Sequence, residues 1–159
     1  MLKTGRWQDH GVLWELRHGD FRKTLKGEKM KPHLIYYDPY SSKVNREMWS
    51  TECFRDLRDK CRTEGTLLYT YSQATPIRVA LLAGGFFVGH GLSSGPKEET
   101  TQAATRLSDL TSPLAAKWFE RWSRSHNQVP FECPPENAES MRTLVRRHPQ
   151  FIGVTKSGV

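Results

Sequence analysis

The chain has 159 residues, and its 24 Lys and Arg outnumber its 17 Asp and Glu, which gives a formal net charge of +7. This length suits one domain with a single hydrophobic core and argues against two independent domains. No stretch approaches the roughly 18 apolar residues of a membrane span, and residues 1–22 carry charges where a signal peptide needs an apolar core. The sequence therefore predicts a folded cytoplasmic protein with no membrane contact.

The first predicted elements are a helix end and two strands. Residues 2–10 read as the end of a helix, and residues 12–17 (VLWELR) alternate apolar and polar side chains as a strand does. Residues 34–37 (LIYY) form a short apolar run that Asp38-Pro39 stops. Such a run is typical of a buried strand in a parallel sheet.

Helices and strands alternate in the middle of the chain. Apolar side chains recur every four residues from Trp49 to Cys61, which predicts an amphipathic helix over residues 49–62. The pattern then predicts strands at residues 66–71, 86–88 and 100–107 and a helix at residues 77–83. This alternation predicts an α/β fold.

The C-terminal third is predicted to be helical. Leu114, Trp118 and Trp122 line one side of a helix, a stripe that is more typical of a core than of a binding surface. Prolines then break the chain before a short basic helix at residues 139–147. We therefore divide this single domain into an α/β core at residues 12–107, a helical extension at residues 108–150 and a tail at residues 151–159.

The side-chain chemistry disfavours a metal site. The cysteines at positions 53, 61 and 133 form no C-x-x-C pair, so buried thiols are expected in place of a disulfide framework or zinc cluster. The six histidines show no ligand spacing such as H-E-x-x-H. The basic excess fits either a partner such as RNA or an ordinary solvated surface, because the basic residues are spread along the chain.

Candidate site residues follow the predicted strands, since ligands of open α/β sheets bind outside the carboxyl ends of the strands. Three groups lie there: Gly19-Asp20-Phe21, Asp38-Pro39-Tyr40-Ser41 and Ser72-Gln73. In the second group, the carboxylate can accept a hydrogen bond from an amine whose lone pair attacks an electrophilic methyl group. An Asp-Pro turn without any ligand is the alternative.

Residues 38–50 (DPYSSKVNREMWS) resemble the signature D-(A/G)-F-(S/A)-P-x-x-N-P-(D/E)-(M/L)-W-(T/S) of the MnmC-like methyltransferases. The likeness covers residues 12–105. These enzymes methylate the aminomethyl group of wobble uridine in tRNA with S-adenosylmethionine, so the resemblance implies a Rossmann-like class I fold, this cofactor and a tRNA partner. Pro39, Ser42 and Arg46 depart from the signature, which puts the exact amine in doubt.

The resemblance also implies roles for single residues. Asp38 would bind and orient the substrate amine, and Tyr40 would lie beside the path of methyl transfer. Asp20 would accept a hydrogen bond from the adenine amino group while Phe21 covers the ring, although Asp20 could equally cap a short helix. The substrate and RNA contacts would come from Ser72 and Lys97, of which the second could be a solvated lysine. Asn45 and Trp49 would set and pack the loop.

No glycine-rich cofactor turn precedes Val12, although the resemblance implies one. If the strand at residues 12–17 is the third of the family fold, two strand–helix units, roughly 60–80 residues, are expected upstream of Met1. The strand at residues 34–37 would then expose an apolar edge. A homodimer paired through such edges is the alternative.

Three functions remain open at this point: the tRNA amine methyltransferase, a non-catalytic remnant that serves as an interaction module, and an N-methyltransferase for another amine. The third draws on Asp38-Pro39-Tyr40, which also resembles the D-P-P-Y motif of nucleic-acid amino methyltransferases.

Overall fold

The computed structural model describes residues 5–92 and 99–152, so the predicted contact residue Lys97 lies outside the described residues. The elements in chain order are β1 (Arg6–Asp9), β2 (Val12–Glu15), α1 (Phe21–Gly27), β3 (Leu34–Tyr36), α2 (Thr51–Asp59), β4 (Leu67–Thr70), α3 (Thr75–Ala83), β5 (Phe87–Gly91), β6 (Thr100–Ala104), α4 (Ala116–Ser123) and α5 (Ala138–Arg146). Short 3₁₀ turns at Arg46–Trp49, Leu107–Asp109, Pro135–Asn137 and Pro149–Phe151 connect them.

A four-stranded mixed sheet in the order β3-β4-β6-β5 forms the centre of the molecule. β3 and β4 run parallel, with Leu34 opposite Leu67 and Tyr36 opposite Tyr69. β6 runs antiparallel to both β4 and β5. The α/β fold predicted from the sequence is therefore confirmed, and the carboxyl ends of β3 and β4 meet at one edge of the sheet.

The main core lies between this sheet and helices α2 and α3. The Ser50 hydroxyl accepts a hydrogen bond from the Cys53 amide at 3.1 Å and so caps the start of α2. Cys53, Phe54 and Leu57 of α2 are buried, as the four-residue spacing predicts. At the end of α3, Gly84 allows close packing, because a Cβ there would lie 2.8 Å from the Cβ of Phe54.

The N-terminal prediction needs correction. Residues 6–9 form a strand, not the end of a helix, and pair with β2 in an antiparallel hairpin. The reason is local: His10 and Gly11 have φ of 45° and 79°, the positive values that a tight hairpin turn requires. The strand predicted at residues 12–17 is confirmed, but within the described chain β2 pairs with β1 and not with the four-stranded sheet.

β3 is less buried than its sequence predicts, because it lies at the edge of the sheet. Leu34 is 46% and Tyr36 is 78% exposed, whereas Tyr37 is buried. The exposed pair points to the sheet face opposite α2 and α3. Leu34 and Tyr36 therefore leave apolar surface uncovered on this strand of the described sheet.

The C-terminal helices join the core through aromatic side chains. Trp118 and Trp122 are buried, as predicted, and Trp118 stacks on Phe151 with ring centroids 5.8 Å apart. Phe151, which the sequence places in the tail, is fully buried. The Gln150 amide hydrogen-bonds to both backbone groups of Val88, which ties this segment to β5.

Two of the three cysteines are buried thiols, as the sequence predicts. Cys53 and Cys61 lie in the core, and burial raises the pKa of both thiols. Cys133 is only partly buried.

Candidate functional site

A cavity of about 580 Å³ opens at the carboxyl edge of β3 and β4 and extends along the exposed sheet face. Asp38, two residues after β3, and Tyr71, directly after β4, are among its lining residues. Its lining is mostly aromatic and aliphatic: Leu34, Tyr36, Tyr37, Asp38, Leu67, Tyr69, Thr70, Tyr71, Leu92 and Thr100. An apolar cavity with few polar groups is typical of a small-molecule or nucleobase site.

Asp38 is the acid of this cavity. Its side chain is exposed, and within the described residues its carboxylate accepts no hydrogen bond and forms no ion pair. Burial, and to a lesser extent the negative charge of Asp38, raises the pKa of Tyr71. Asp38 and Tyr71 therefore line the same cavity, and within the described residues the Asp38 carboxylate is available to accept hydrogen bonds from a ligand.

Buried aromatic side chains fix the backbone on either side of Asp38. The Tyr37 hydroxyl donates a hydrogen bond to the Met48 carbonyl and lies 3.4 Å from the Cys53 sulfur. The Tyr37 ring also meets Trp49 edge to face, with centroids 5.6 Å apart. Burial raises the pKa of Tyr37, so its hydroxyl stays protonated as a donor.

Trp49 holds the next part of the loop. Its indole Nε1 donates to the Tyr40 carbonyl at 2.8 Å, and its side chain is 1% exposed. This geometry fits the packing role that the sequence indicates for Trp49. The Asp38 loop is thus held by Tyr37 before the acid and by Trp49 after it.

Two predicted residues, Tyr40 and Ser72, do not line the cavity with Asp38. The Tyr40 side chain is 75% exposed. The Ser72 hydroxyl accepts a hydrogen bond from the Ala74 amide, and the Ser72 carbonyl accepts one from the Thr101 hydroxyl at 2.6 Å. In this structure Ser72 therefore shapes the loop between β4 and α3.

The predicted cofactor residues lie in a different place. Asp20 caps α1: its Oδ1 accepts from the Arg22 amide at 3.0 Å, and its Oδ2 lies 2.9 Å from the Arg22 guanidinium. These hydrogen bonds hold the pKa of Asp20 below its ordinary value. Phe21 packs edge to face on Tyr37 at 6.0 Å. Asp20 lines a second, charged cavity of about 620 Å³ that shares no lining residue with the Asp38 cavity.

Arg78 is a buried arginine that organises the site, a role that the sequence did not predict. It is 3% exposed, and its guanidinium donates to the Thr101 hydroxyl at 3.0 Å and to the Thr100 carbonyl at 3.1 Å. Because Thr101 also donates to Ser72, Arg78 connects α3, the start of β6 and the loop after β4. The available signal was a single charge in the apolar helix sequence TPIRVALLA.

Glu99 completes this network by pairing with Arg78 and with His90 Nδ1. Burial by itself would raise the pKa of Glu99, but the hydrogen bonds from the arginine and histidine outweigh it and hold the pKa below its ordinary value. Glu99 thus carries a negative charge that compensates the buried guanidinium.

The described residues do not by themselves form a complete site for S-adenosylmethionine. Most of the Asp20 carboxylate is engaged by Arg22, and one edge of Phe21 is covered by Tyr37. The two residues would offer at most one free acceptor and part of one ring to an adenine. No helix in the described ranges is long and apolar enough to cross a membrane, and no group of three potential metal ligands occurs there.

Comparison with solved structures identifies the fold. The crystal structure of MNMC2 from Aquifex Aeolicus superposes with a TM-score of 0.69 at 22% sequence identity, over 98% of this chain and 49% of that chain. The mixed sheet and its helices are thus a Rossmann-like class I arrangement, and the chain spans about half of that solved chain.

Sequence comparison gives relatives of the same kind. The chain is 32% identical over 121 residues to the tRNA 5-methylaminomethyl-2-thiouridine biosynthesis bifunctional protein MnmC of Cupriavidus metallidurans, covering 72% of this chain and 18% of that protein. The protein of the same name from Hahella chejuensis is 30% identical over 110 residues, which are 69% of this chain and 17% of the relative. The S-adenosyl-L-methionine-dependent methyltransferase family matches residues 4–106. This match includes well over half of the residues of the chain. The chain therefore belongs to that methyltransferase family.

Proposed function

We propose that this chain provides the amine-binding part of an S-adenosylmethionine-dependent N-methyltransferase, and that the amine is the aminomethyl group of wobble uridine in tRNA. The observation that carries the proposal is Asp38, whose carboxylate has no partner among the described residues and lines an aromatic cavity at the carboxyl edge of the sheet. The similarity to MnmC proteins supports the choice of tRNA.

The chemistry requires a neutral amine held in one orientation. A carboxylate that accepts a hydrogen bond from an amine N–H directs the nitrogen lone pair away from itself, toward an incoming methyl group. The cavity offers aromatic surface to a pyrimidine ring. This surface comes from Tyr36 and Tyr69, which stack with centroids 6.1 Å apart, and from Tyr71. Rate acceleration would then come mainly from proximity and orientation, with no metal or covalent intermediate.

For the remaining predicted residues we propose the roles that the family resemblance implies, although in this structure Tyr40 and Ser72 do not line the Asp38 cavity and Asp20 caps α1. S-adenosylmethionine would supply the methyl group, with Asp20 and Phe21 on the adenine side, once further groups complete its site. Tyr40 would lie beside the transferred methyl group. Ser72 and Lys97 would contact the substrate or the RNA.

The test is methyl transfer to tRNA whose wobble uridine carries the free aminomethyl group, measured with radiolabelled S-adenosylmethionine. Incorporation at this nucleotide supports the proposal. Incorporation into other amines, but not into this tRNA, would favour an N-methyltransferase with a different substrate. A panel of small primary amines separates the two enzymes.

A non-catalytic interaction module is the second candidate. The engagement of Asp20 by Arg22 favours it, because that carboxylate is then largely lost to a cofactor. Titration calorimetry of the folded chain with S-adenosylmethionine discriminates between the two. Micromolar binding supports the enzyme, whereas no binding together with no methyl transfer supports the module.

A further inference from the structure

We propose that the Tyr69 hydroxyl selects the base that enters the Asp38 cavity. It would donate a hydrogen bond to the carbonyl oxygen of a uracil, next to the ring carbon that carries the aminomethyl group. The choice of an aminomethyl pyrimidine rests on the proposed function. The direction of the hydrogen bond rests on the contacts of Tyr69 in the structure.

Tyr69 belongs to a row of side chains on the sheet face that carries the cavity. On one side it lies opposite Tyr36 of β3, and the two rings stack. On the other side it lies opposite Gln102 of β6. Residues opposite each other in neighbouring strands place their side chains on the same face of the sheet. Tyr69 and Asp38 both line the cavity, so the two residues can contact different atoms of one ligand.

The buried side chain of Gln102 has a single orientation that satisfies its neighbours. It is 3% exposed, its Oε1 accepts from the Thr111 amide at 3.3 Å, and its Nε2 donates to the Tyr69 hydroxyl at 2.9 Å. A backbone N–H can only donate, so the amide oxygen of Gln102 has to face Thr111 and the amino group has to face Tyr69. Exchanging the two atoms would set two donors against each other at Thr111.

This orientation determines what Tyr69 offers to a ligand. A phenol hydroxyl has one proton and can also accept. Because its oxygen accepts from Gln102, the proton of Tyr69 is left for another partner, and residues 5–92 and 99–152 provide no acceptor for it. The Tyr69 side chain is only partly buried and lines the cavity. Tyr69 therefore presents a donor whose acceptor a ligand has to supply.

A donor in this position discriminates between the two pyrimidines. Uracil carries a carbonyl oxygen at the ring position where cytosine carries an amino group. The oxygen accepts from Tyr69, whereas the amino group would bring its own N–H against the hydroxyl proton and leave the donor unsatisfied. Asp38 cannot make this distinction, because the aminomethyl group that it binds is the same on both bases.

The test uses the full chain without methyl donor and two fluorescently labelled anticodon stem-loop RNAs. One RNA has aminomethyluridine at the wobble position and the other has aminomethylcytidine. Anisotropy titrations give the ratio of the two affinities. Circular dichroism and thermal unfolding verify that each variant is folded.

Tyr69→Phe keeps the ring and removes the hydroxyl. Gln102→Glu keeps the hydroxyl but turns its proton toward the new carboxylate, which can only accept and which still accepts from the Thr111 amide. Tyr36→Phe is the matched control, because it removes the hydroxyl from the other ring of the same stack.

We expect the parent chain to prefer the uridine RNA by about tenfold, the effect of one hydrogen bond whose loss leaves a donor unsatisfied. Tyr69→Phe and Gln102→Glu should abolish this preference, whereas Tyr36→Phe should change both affinities by the same factor. Equal binding of the two RNAs by the parent, an unaltered preference in Tyr69→Phe, or no binding of either RNA overturns the proposal. A preference that depends on Tyr69 in a chain that transfers no methyl group would contradict only the proposed function.

Discussion

Asp38 and Asp20 both follow strands, but their carboxylates have different surroundings. The Asp20 carboxylate accepts hydrogen bonds from the amide and the guanidinium of Arg22, so Asp20 acts as the N-terminal cap of α1. Asp38 is followed by Pro39, which has no N–H, and no helix begins directly after it. In the described structure no backbone amide donates to its carboxylate. Of the two acids, Asp38 therefore has the carboxylate that is more available to a ligand.

Under the proposed function, replacing Asp38 with Asn should lower methyl transfer by about 100-fold or more, because the amide cannot offer two charged acceptor oxygens to the amine. Affinity for tRNA should change by less than about twofold, since phosphate contacts dominate it. Asp59→Asn, an exposed acid of α2, is the matched control. Steady-state methyl incorporation and tRNA anisotropy are the measurements, and an unchanged rate removes Asp38 from the mechanism.

His148 makes stability depend on pH. Burial lowers the pKa of this side chain from its ordinary 6.5 to about 4. A base whose folded pKa is lowered favours folding above its unfolded pKa, so that contribution is present above pH 6.5 and is lost as the pH falls toward 4. The loss amounts to about 3 kcal/mol.

His148→Asn should flatten this part of the pH profile. Asn does not titrate, yet it can still accept the hydrogen bond that His148 Nδ1 receives from the Gln150 amide at 3.3 Å. Urea unfolding between pH 7.5 and 4.5 provides the comparison. If the variant loses as much stability as the parent over this interval, His148 is not the group responsible.

At the level of elements, the junction of α2 and α3 depends on one glycine. A Cβ at Gly84 would lie 2.8 Å from the Phe54 Cβ and 3.1 Å from the Phe54 carbonyl carbon, and both atoms belong to a buried helix that cannot yield easily. The φ of Gly84 is −75°, so the constraint is packing and not backbone conformation.

We therefore expect Gly84→Ala to lower the free energy of unfolding by about 1–3 kcal/mol. Gly27→Ala is the control, because no atom lies within 4 Å of its added Cβ, and it should be neutral or slightly stabilising. Denaturant unfolding of both variants measures the difference. Equal stability of the two would show that the helices separate at low cost.

The N-terminal elements show where local sequence information was sufficient and where it was not. Alternation of apolar and polar side chains predicted β2, and the spacing from Trp49 to Cys61 predicted α2, because both patterns reflect the periodicity of one element. Residues 6–9 were misassigned because the turn at His10 and Gly11, which pairs the two strands, depends on φ values that composition did not reveal.

For the molecule as a whole, the C-terminal extension and the family-matched part share one core. Trp118, Trp122 and Phe151 belong to the same buried cluster as Val88 and Leu68 of the sheet. Residues 107–152 should therefore unfold together with the sheet in a single transition.

Phe151→Ala should lower the free energy of unfolding by about 3–5 kcal/mol and keep one cooperative transition, since it removes a fully buried ring. Ile152→Ala, at a side chain that is 60% exposed, should have little effect. Thermal unfolding followed by circular dichroism and by tryptophan fluorescence tests both points. Separate transitions by the two probes would mean that the extension folds independently.

The linear sequence was sufficient for the α/β class, most helices and strands, and the resemblance that marks Asp38, because each depends on short-range patterns or on adjacent residues. Tertiary structure decided what depends on distant partners. The position of β3 at the sheet edge left Tyr36 exposed, and Phe21 packed on Tyr37. Arg78 became an organiser of the site because Thr101 lies next to Ser72. Hydrogen bonds and packing between segments many residues apart follow from the path of the chain in space, which no local pattern contains.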